Sequence, residues 1–336
     1  MKTLNNTSPV RRFGTLIAAG VLTASLVACS DSNGGNSENV SELTVGSSPS
    51  LAALSLQGAI ANGHFEDNEL SVNAVPNKSA NDAVPQLLNG GIQVAQMDML
   101  TFFKARSEGL PLKIVAGAGE QSTDGGNEVP SGAGVVVNPD SDISVPVDFV
   151  GRKVGVPAIK TQTWMNIRAI VDDAGGDSSQ IEFVEVPPAQ TIDLVNRGEV
   201  EASTPSEPLM SASIAEGKVR LIHSTDVPGL KGVPSSAFVA TEDFVNNNPD
   251  TVRKFADAIY AAAAEVNGDR EAALDIAEKQ INLRPEQLEH VFVPALAADH
   301  PTSEELQKVI DLAIRYEVLT EAPDTADMVA QADGGN

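Results

Sequence analysis

FVGRKVGVPAIKTQTWMNIRAIVDDAGG, residues 149–176, decides the fold of this chain. The apolar run 154–156 has the length and composition of a strand buried in a parallel sheet, and a proline ends it. Apolar residues then recur at helical spacing from Trp164 to Val171, and two glycines supply a helix C-cap. The loop 158–163 therefore joins the C-terminal end of a strand to the N-terminal end of a helix. Ligands bind at this position in open α/β sheets, because unpaired helix N–H groups point outward there.

The composition is that of a globular chain with room for two domains. Of its 336 residues, 42% are hydrophobic and 20% are charged. The 22 basic and 46 acidic residues leave a net charge of −24. We expect no nucleic-acid partner, since neutralising phosphates needs clustered Lys and Arg. Solubility or a saline habitat explains the acidity. It does not exclude an anionic ligand, because exposed charges more than about 8 Å away are largely screened at physiological salt.

The N-terminal segment predicts export and a lipid anchor. Residues 1–28 combine Lys2, Arg11 and Arg12 with an uncharged run too short to span a bilayer, which is typical of a signal peptide. The run closes with LVAC, residues 26–29, which resembles a bacterial lipobox. Cys29 is therefore the predicted lipidation site and the point of membrane attachment. The alternative is an ordinary signal peptide with an incidental cysteine. The Ser-, Asn- and Gly-rich residues 29–41 predict a flexible tether.

The rest of the chain repeats one series of strands and helices. Three motifs recur in the same order: Val45-Gly46 as Val154-Gly155, Val75-Pro76 as Val186-Pro187, and Leu87-x-Asn89-x-Gly91 as Leu194-x-Asn196-x-Gly198. Strands that alternate with helices imply a mainly parallel sheet with right-handed crossovers in each half. We therefore predict an α/β protein of two lobes with a cleft between them.

Two short β-rich runs, 134–138 and 236–240, are interpreted as the hinge crossings between the lobes. The helix that starts at Asn248-Pro249 must then pack back on the first lobe. The predicted domains are lobe I at residues 42–137 plus 238–325, lobe II at 138–237, and a disordered tail at 326–336.

These features together resemble the type II periplasmic-binding fold. In particular they are similar to the nitrate/sulfonate/taurine-binding family of ABC-importer substrate-binding lipoproteins, within the thiamine-pyrimidine-synthase-like superfamily. The residues that carry the resemblance are DFVGRKVGV (148–156), RGEVEA (197–202), Glu207-Pro208 and Asn248-Pro249. The resemblance covers about Leu43 to Tyr316. It implies lobes that close on a small-molecule ligand, an ABC permease with its ATPase as partners, and an extracytoplasmic location. It implies no catalytic residue, cofactor or metal, and we expect a monomer.

The resemblance also implies which loops hold the ligand, namely those at the strand ends of both lobes. The matching positions are Ser47, Ser48, Pro49, Ser50, Met97, Asp98 and Gln121 in lobe I, and Thr161, Gln162, Thr163, Trp164 and Glu207 in lobe II. Several have a purely structural alternative: helix capping for the serines and Asp98, core packing for Trp164, and a solvated surface position for Glu207.

The predicted ligand carries two kinds of group. Hydroxyls and helix N-termini suit an acid group, whereas Asp98 and Glu207 suit an amine or a ring N–H. The hypothesis is a zwitterionic sulfonate such as taurine, or a nitrogen heterocycle. Micromolar capture requires about 8 kcal/mol. Several charge-assisted hydrogen bonds of about 1.5–3 kcal/mol each must therefore form when the lobes close.

Two other functions stay open at this point. One is a lipoprotein that senses a ligand and signals to a receptor, and the other is an enzyme like the pyrimidine-precursor synthases. The four histidines show no metal-ligand spacing, and no GxSxG nucleophile motif occurs. An exported chain also argues against cofactor-dependent biosynthesis.

Overall fold

The structure is a computed structural model that describes residues 41–48, 50–77, 80–126 and 131–330. Within these residues the chain forms two five-stranded β-sheets. The strands in these ranges are β1 (Ser41–Ser47), β2 (Leu70–Pro76), β3 (Val94–Asp98), β4 (Leu112–Glu120), β5 (Gly134–Val137), β6 (Lys153–Val156), β7 (Glu182–Glu185), β8 (Ala202–Ser203), β9 (Arg220–Ser224) and β10 (Pro234–Thr241).

Helices flank both sheets. Those described are α1 (Leu54–Ala61), α2 (His64–Asp67), α3 (Ala80–Leu88), α4 (Met99–Ser107), α5 (Gln162–Asp173), α6 (Thr191–Asn196), α7 (Leu209–Ala215), α8 (Glu242–Asn247), α9 (Pro249–Gly268), α10 (Arg270–Ile281), α11 (Pro285–Leu288) and α12 (Ser303–Arg315).

The two sheets share one topology. The first has the strand order β2-β1-β3-β10-β4 and the second β7-β6-β8-β5-β9. In the first sheet β10 runs antiparallel to β3 and β4, and in the second sheet β5 runs antiparallel to β8 and β9. The remaining pairs, β2-β1, β1-β3, β7-β6 and β6-β8, are parallel. The prediction of a two-lobed α/β fold with mainly parallel sheets is confirmed.

The internal repeat is real, but one predicted match is out of register. Gly46 pairs with Val75 in the first sheet, and Gly155 pairs with Val184 in the second. Val184, rather than Val186, is therefore the counterpart of Val75. Both glycines are required by close approach, since a Cβ at Gly46 would lie 2.3 Å from Asn77 Nδ2 and one at Gly155 would lie 2.8 Å from Val186 Cγ2.

The predicted positions of the hinge crossings are wrong. Residues 134–137 form β5, which pairs with β8 and β9 in the second sheet, so this strand belongs to lobe II rather than to lobe I. Residues 234–241 form β10, which pairs with β3 and β4 in the first sheet. Both runs are apolar because they are buried strands, and the chain crosses between the sheets before each of them, in the segments that follow β4 and β9; the described residues of these crossings are 121–126, 131–133 and 225–233.

Hydrogen bonds tie the two crossings to each other. Gln121 accepts from Val227 N at 2.7 Å through its side-chain Oε1, and its backbone N–H donates to Val233 O at 2.9 Å. Thr123 N donates to Asp226 Oδ2 at 2.8 Å. The crossings therefore form one paired hinge rather than two independent linkers.

The C-terminal helices complete lobe I, as expected. Helix α9 packs against α1 and β4, and its Phe255 ring lies 5.5 Å from both Phe65 and Phe238. Helix α12 contacts both α4 and α5, so it reaches across to lobe II.

The start of the predicted disordered tail is ordered. Met328 and Ala330 are buried, and the backbone of this segment pairs with Ile114 on the edge of β4. An exposed edge strand presents unpaired backbone groups, and these residues cover them. Residues 331–336 lie outside the described ranges.

The predicted signal peptide (1–28), Cys29, the tether up to residue 40 and Pro49 also lie outside the described residues. Within the described ranges, no helix is both long enough and apolar enough to cross a membrane.

Candidate functional site

A cavity of about 370 Å³ lies between the two sheets, beside the hinge. Lobe I contributes the turn after β1, the end of β3, the end of β4, the start of β10 and the segment 294–295. Lobe II contributes the residues before β5, the N-terminal turns of α5, the segment after β8 and the residues after β9. These are mostly the ends of strands and the starts of helices, where ligands bind in open α/β sheets.

Six of the twelve predicted residues line this cavity. They are Ser50, Asp98, Gln121, Gln162, Thr163 and Glu207. Both lobes are represented, so residues far apart in the sequence meet across one space.

Five other predicted residues do not line the cavity. Ser47 is buried, and its hydroxyl donates to Ser48 O at 3.3 Å. The Ser48 hydroxyl donates to Asn77 O at 3.1 Å. Met97 is buried in the core of lobe I. Thr161 donates from Oγ1 to Ala158 O at 2.8 Å, which stabilises its own loop.

Trp164, the fifth, faces the other side of α5. Its ring lies 5.7 Å from the Phe183 ring, and the Arg168 guanidinium lies 4.9 Å above it. The same guanidinium lies 4.8 Å from the Tyr316 ring. The structural alternative given for Trp164, core packing, therefore describes its surroundings.

Two of the lining residues also stabilise the fold through side-chain hydrogen bonds. Asp98 caps α4, since its two carboxylate oxygens accept from Thr101 N at 2.9 Å and Thr101 Oγ1 at 2.7 Å. Gln121 holds the hinge through Oε1. By contrast, Ser50 makes no capping hydrogen bond through its side chain.

Glu207 is the most perturbed acid of the cavity. Its Oε1 accepts from Ser211 Oγ at 2.5 Å, while Oε2 is buried without a hydrogen-bond partner. Burial raises the pKa of Glu207 to about 7, against the opposing effects of the Ser211 donor, the Phe292 N–H and the charge of Arg270. Phe292 belongs to the segment between α11 and α12, so Glu207 of lobe II contacts lobe I. Its predicted alternative, a solvated surface position, is wrong.

Sequence reasoning missed several lining residues. Asn166 lies one turn after Gln162 on α5, so their i, i+4 spacing in the sequence was a signal that both side chains share one face of the helix and line the cavity together. Ser235-Ser236 is a polar pair within the otherwise apolar β10, which was another. Glu120 and Asp226 carry no local signal, since only the meeting of strand ends at the hinge places them here.

Burial acts on these two missed acids as well. Asp226 is 8% exposed, and burial raises its pKa although Thr123 donates to it from the backbone and the hydroxyl. Burial also raises the pKa of Glu120, and the negative charge of Glu305 adds to the effect. Glu120, Glu207 and Asp226 therefore hold their protons more tightly than they would in water.

The described part of the cavity lining is acidic. Asp98, Glu120, Glu207 and Asp226 line it, and no Lys, Arg, His or aromatic residue does so. Within the described ranges, no group of three or more His, Cys, Asp or Glu residues is arranged to hold a metal ion. The cavity offers hydrogen-bond acceptors and hydroxyls to a small molecule.

The solved structures include proteins of the same fold. The periplasmic aliphatic sulphonate binding protein SsuA from Escherichia coli superposes with a TM-score of 0.69 at 18% identity, covering 87% of this chain and 98% of that chain. At this identity the likeness concerns the fold, which is that of periplasmic binding proteins.

Curated relatives match part of the chain. The taurine-binding periplasmic protein of Escherichia coli (strain K12) is 27% identical over 174 residues, 52% of this chain and 50% of the relative. The formylaminopyrimidine-binding protein of Halalkalibacterium halodurans is 28% identical over 138 residues, 41% of this chain and 39% of the relative. The chain thus spans about half or less of the length of these relatives. The NMT1/THI5 like family matches residues 54–273, well over half of the sequence, and the chain therefore belongs to that family.

Proposed function

We propose that this protein is an extracytoplasmic solute-binding protein, which captures a small organic ligand between its lobes and delivers it to an ABC importer. The observation that carries the proposal is the cavity of about 370 Å³ that both lobes line beside a paired hinge. Small-molecule sites typically occupy about 300–1,000 Å³. The relatives named as taurine-binding and formylaminopyrimidine-binding support a role of the same kind.

Capture proceeds by closure of the lobes about the hinge. The two crossings, whose described residues are 121–126, 131–133 and 225–233, connect the sheets, so the lobes move relative to each other about them. Closure brings Gln162, Thr163 and Glu207 of lobe II towards Ser50 and the end of β3 in lobe I. Water leaves the cavity, and each hydrogen bond to the ligand gains strength in the drier surroundings.

The anchor and the partners complete this proposal. A lipid on Cys29 would hold the protein at a membrane, with residues 30–40 as the tether. A permease with its ATPase would accept the closed form, and one copy of the chain suffices, since both halves of the cavity come from one chain. The relatives bind their ligands according to their names, and we propose binding without catalysis here as well.

A cavity-filling variant tests the proposal. Gly132 lines the cavity, its backbone does not need a positive φ, and a Cβ there would lie 3.7 Å from Pro294 on the opposite lobe. Gly132→Leu therefore fills the space between the lobes. Gly268→Leu at the end of α9 is the matched control, since a Cβ there meets nothing within 4 Å.

Both variants and the native chain, expressed from Ser41, are compared by native mass spectrometry for a co-purified small molecule. We expect the native chain and Gly268→Leu to carry the same ligand and Gly132→Leu to lose it. Equal retention by all three would place the binding site elsewhere and refute the proposal.

A further inference from the structure

We propose that the ligand is a small organic cation that carries N–H donors, such as a primary ammonium or guanidinium compound, rather than a sulfonate or another anion. This inference rests on the proposed function, because it concerns the charge of the molecule held between the lobes. It follows from three properties of the described lining: its acidic side chains, its two unpartnered acceptors and the absence of aromatic rings from it.

Acidic side chains line the cavity without basic ones beside them. Four acids line the cavity and, among the described residues, no basic side chain does. Thr101 and Thr123 donate to Asp98 and Asp226, but these donors are neutral hydroxyls and add no positive charge to the cavity. Burial raises the pKa of Glu120, Glu207 and Asp226, and a bound cation favours their ionised forms whereas a bound sulfonate opposes them.

Two positive influences act on the cavity, and neither reverses its sign. The N-terminus of α5 is equivalent to about +0.5 charge. Arg270 acts on Glu207 from outside the lining, and its Nη2 donates to Val291 O at 2.8 Å. A sulfonate therefore lacks the positively charged partner that it needs once water leaves the cavity.

Two lining residues carry a buried acceptor oxygen that lacks a hydrogen bond. Gln162 Oε1 and Glu207 Oε2 are both buried and make no hydrogen bond of standard geometry, although the Phe292 N–H lies near the Glu207 carboxylate, and both residues line the cavity. A buried acceptor without a partner is costly, so these two atoms need donors. A ligand with two or more N–H groups supplies them, whereas a sulfonate brings only more acceptors.

The kind of cation is also restricted. Quaternary ammonium groups have no N–H and are recognised by aromatic cages. No aromatic residue is among the described lining, and Trp164 packs on Phe183 instead. The cavity therefore suits an ammonium or guanidinium group and not a choline-like one.

Isothermal titration calorimetry with defined probes tests the inference. Putrescine and agmatine are the N–H cations, choline is the quaternary cation, and methanesulfonate is the anion. We expect binding of at least one N–H cation and no binding of choline or methanesulfonate. Glu207→Gln keeps the shape of the side chain and removes the charge that Glu207 carries at pH 8, so at that pH it should weaken cation binding about tenfold or more. Glu66→Gln, at an exposed position on α2, is the matched control and should bind as the native chain does.

The possible results separate this inference from the proposed function. If the native chain binds methanesulfonate or co-purifies with an anion, and Gly132→Leu abolishes this binding, the proposal of a cationic ligand is overturned. The proposed solute-binding function then still stands. Equal affinity of the native chain and Glu207→Gln for an N–H cation would also overturn the inference. If neither the probes nor mass spectrometry reveals a ligand of any class, both proposals fail. A co-purified compound with a primary ammonium or guanidinium group supports both.

Discussion

Replacing Glu207 by Gln should stabilise the protein at high pH and not at low pH. Burial raises the pKa of Glu207 from 4.5 to about 7, so the folded state binds this proton more tightly than the unfolded state does. Between pH 4.5 and about 7 the folded chain therefore holds more of this proton than the unfolded chain. The contribution of Glu207 to the free energy of unfolding falls as the pH rises through this window, and the loss is complete above about pH 7. Glutamine does not titrate, so the Glu207→Gln variant does not lose this free energy of unfolding as the pH rises.

The magnitude follows from the size of the pKa change. One pKa unit corresponds to about 1.4 kcal/mol, so the full change would be worth roughly 3 kcal/mol. The side chain is partly open to the cavity, and solvent screening lowers this figure. The difference in the free energy of unfolding between Glu207→Gln and the native chain should therefore be about 1–2 kcal/mol larger at pH 8 than at pH 4.5.

Urea denaturation at several pH values between 4.5 and 8 measures the effect. The protein must first be freed of co-purified ligand by unfolding and dialysis, because a bound ligand adds its own stability. Glu66→Gln serves as the control, and its difference from the native chain should show no such rise across the window. A difference between Glu207→Gln and the native chain that stays constant from pH 4.5 to 8 would refute the assignment of the raised pKa to buried Glu207.

Three further changes have specific expected outcomes. Gly155→Ala places a Cβ 2.8 Å from Val186 Cγ2 and should cost about 1–3 kcal/mol in urea denaturation; an unchanged midpoint would contradict the packing of the repeat. Trp164→Phe should lower stability while leaving ligand affinity within about twofold by calorimetry, because the ring packs on Phe183 and not in the cavity; a large loss of affinity at full stability would contradict this. Cys29→Ala should move the full-length protein from the membrane to the soluble fraction in a detergent-partition assay; retention in the membrane fraction would argue against the lipid.

The sequence predicts the fold well because the signals of the fold are local. The strand predicted at 154–156 spans Lys153–Val156, and the helix predicted from Trp164 to Val171 spans Gln162–Asp173. Each depends on apolar spacing and on prolines or glycines nearby. The hinge was misplaced because a short apolar run such as Gly134–Val137 has the same pattern whether it is a linker strand or the middle of a sheet.

The site was predicted only in part, for a related reason. Loops at strand ends are the right places to search, and Asp98, Gln162 and Glu207 were found there. The orientation of a side chain on such a loop is set by its neighbours, so Ser47 and Trp164 turn out to face away from the cavity.

The sequence by itself determined that this chain folds as two similar α/β halves with candidate loops at their strand ends, since periodicity and turn residues act over a few positions. Only the tertiary structure decided which of those loops share one cavity and what charge that cavity has. Glu120, Glu207 and Asp226 lie on separate segments, and the paired crossings bring them together. Their burial there, which no local pattern encodes, raises their pKa values.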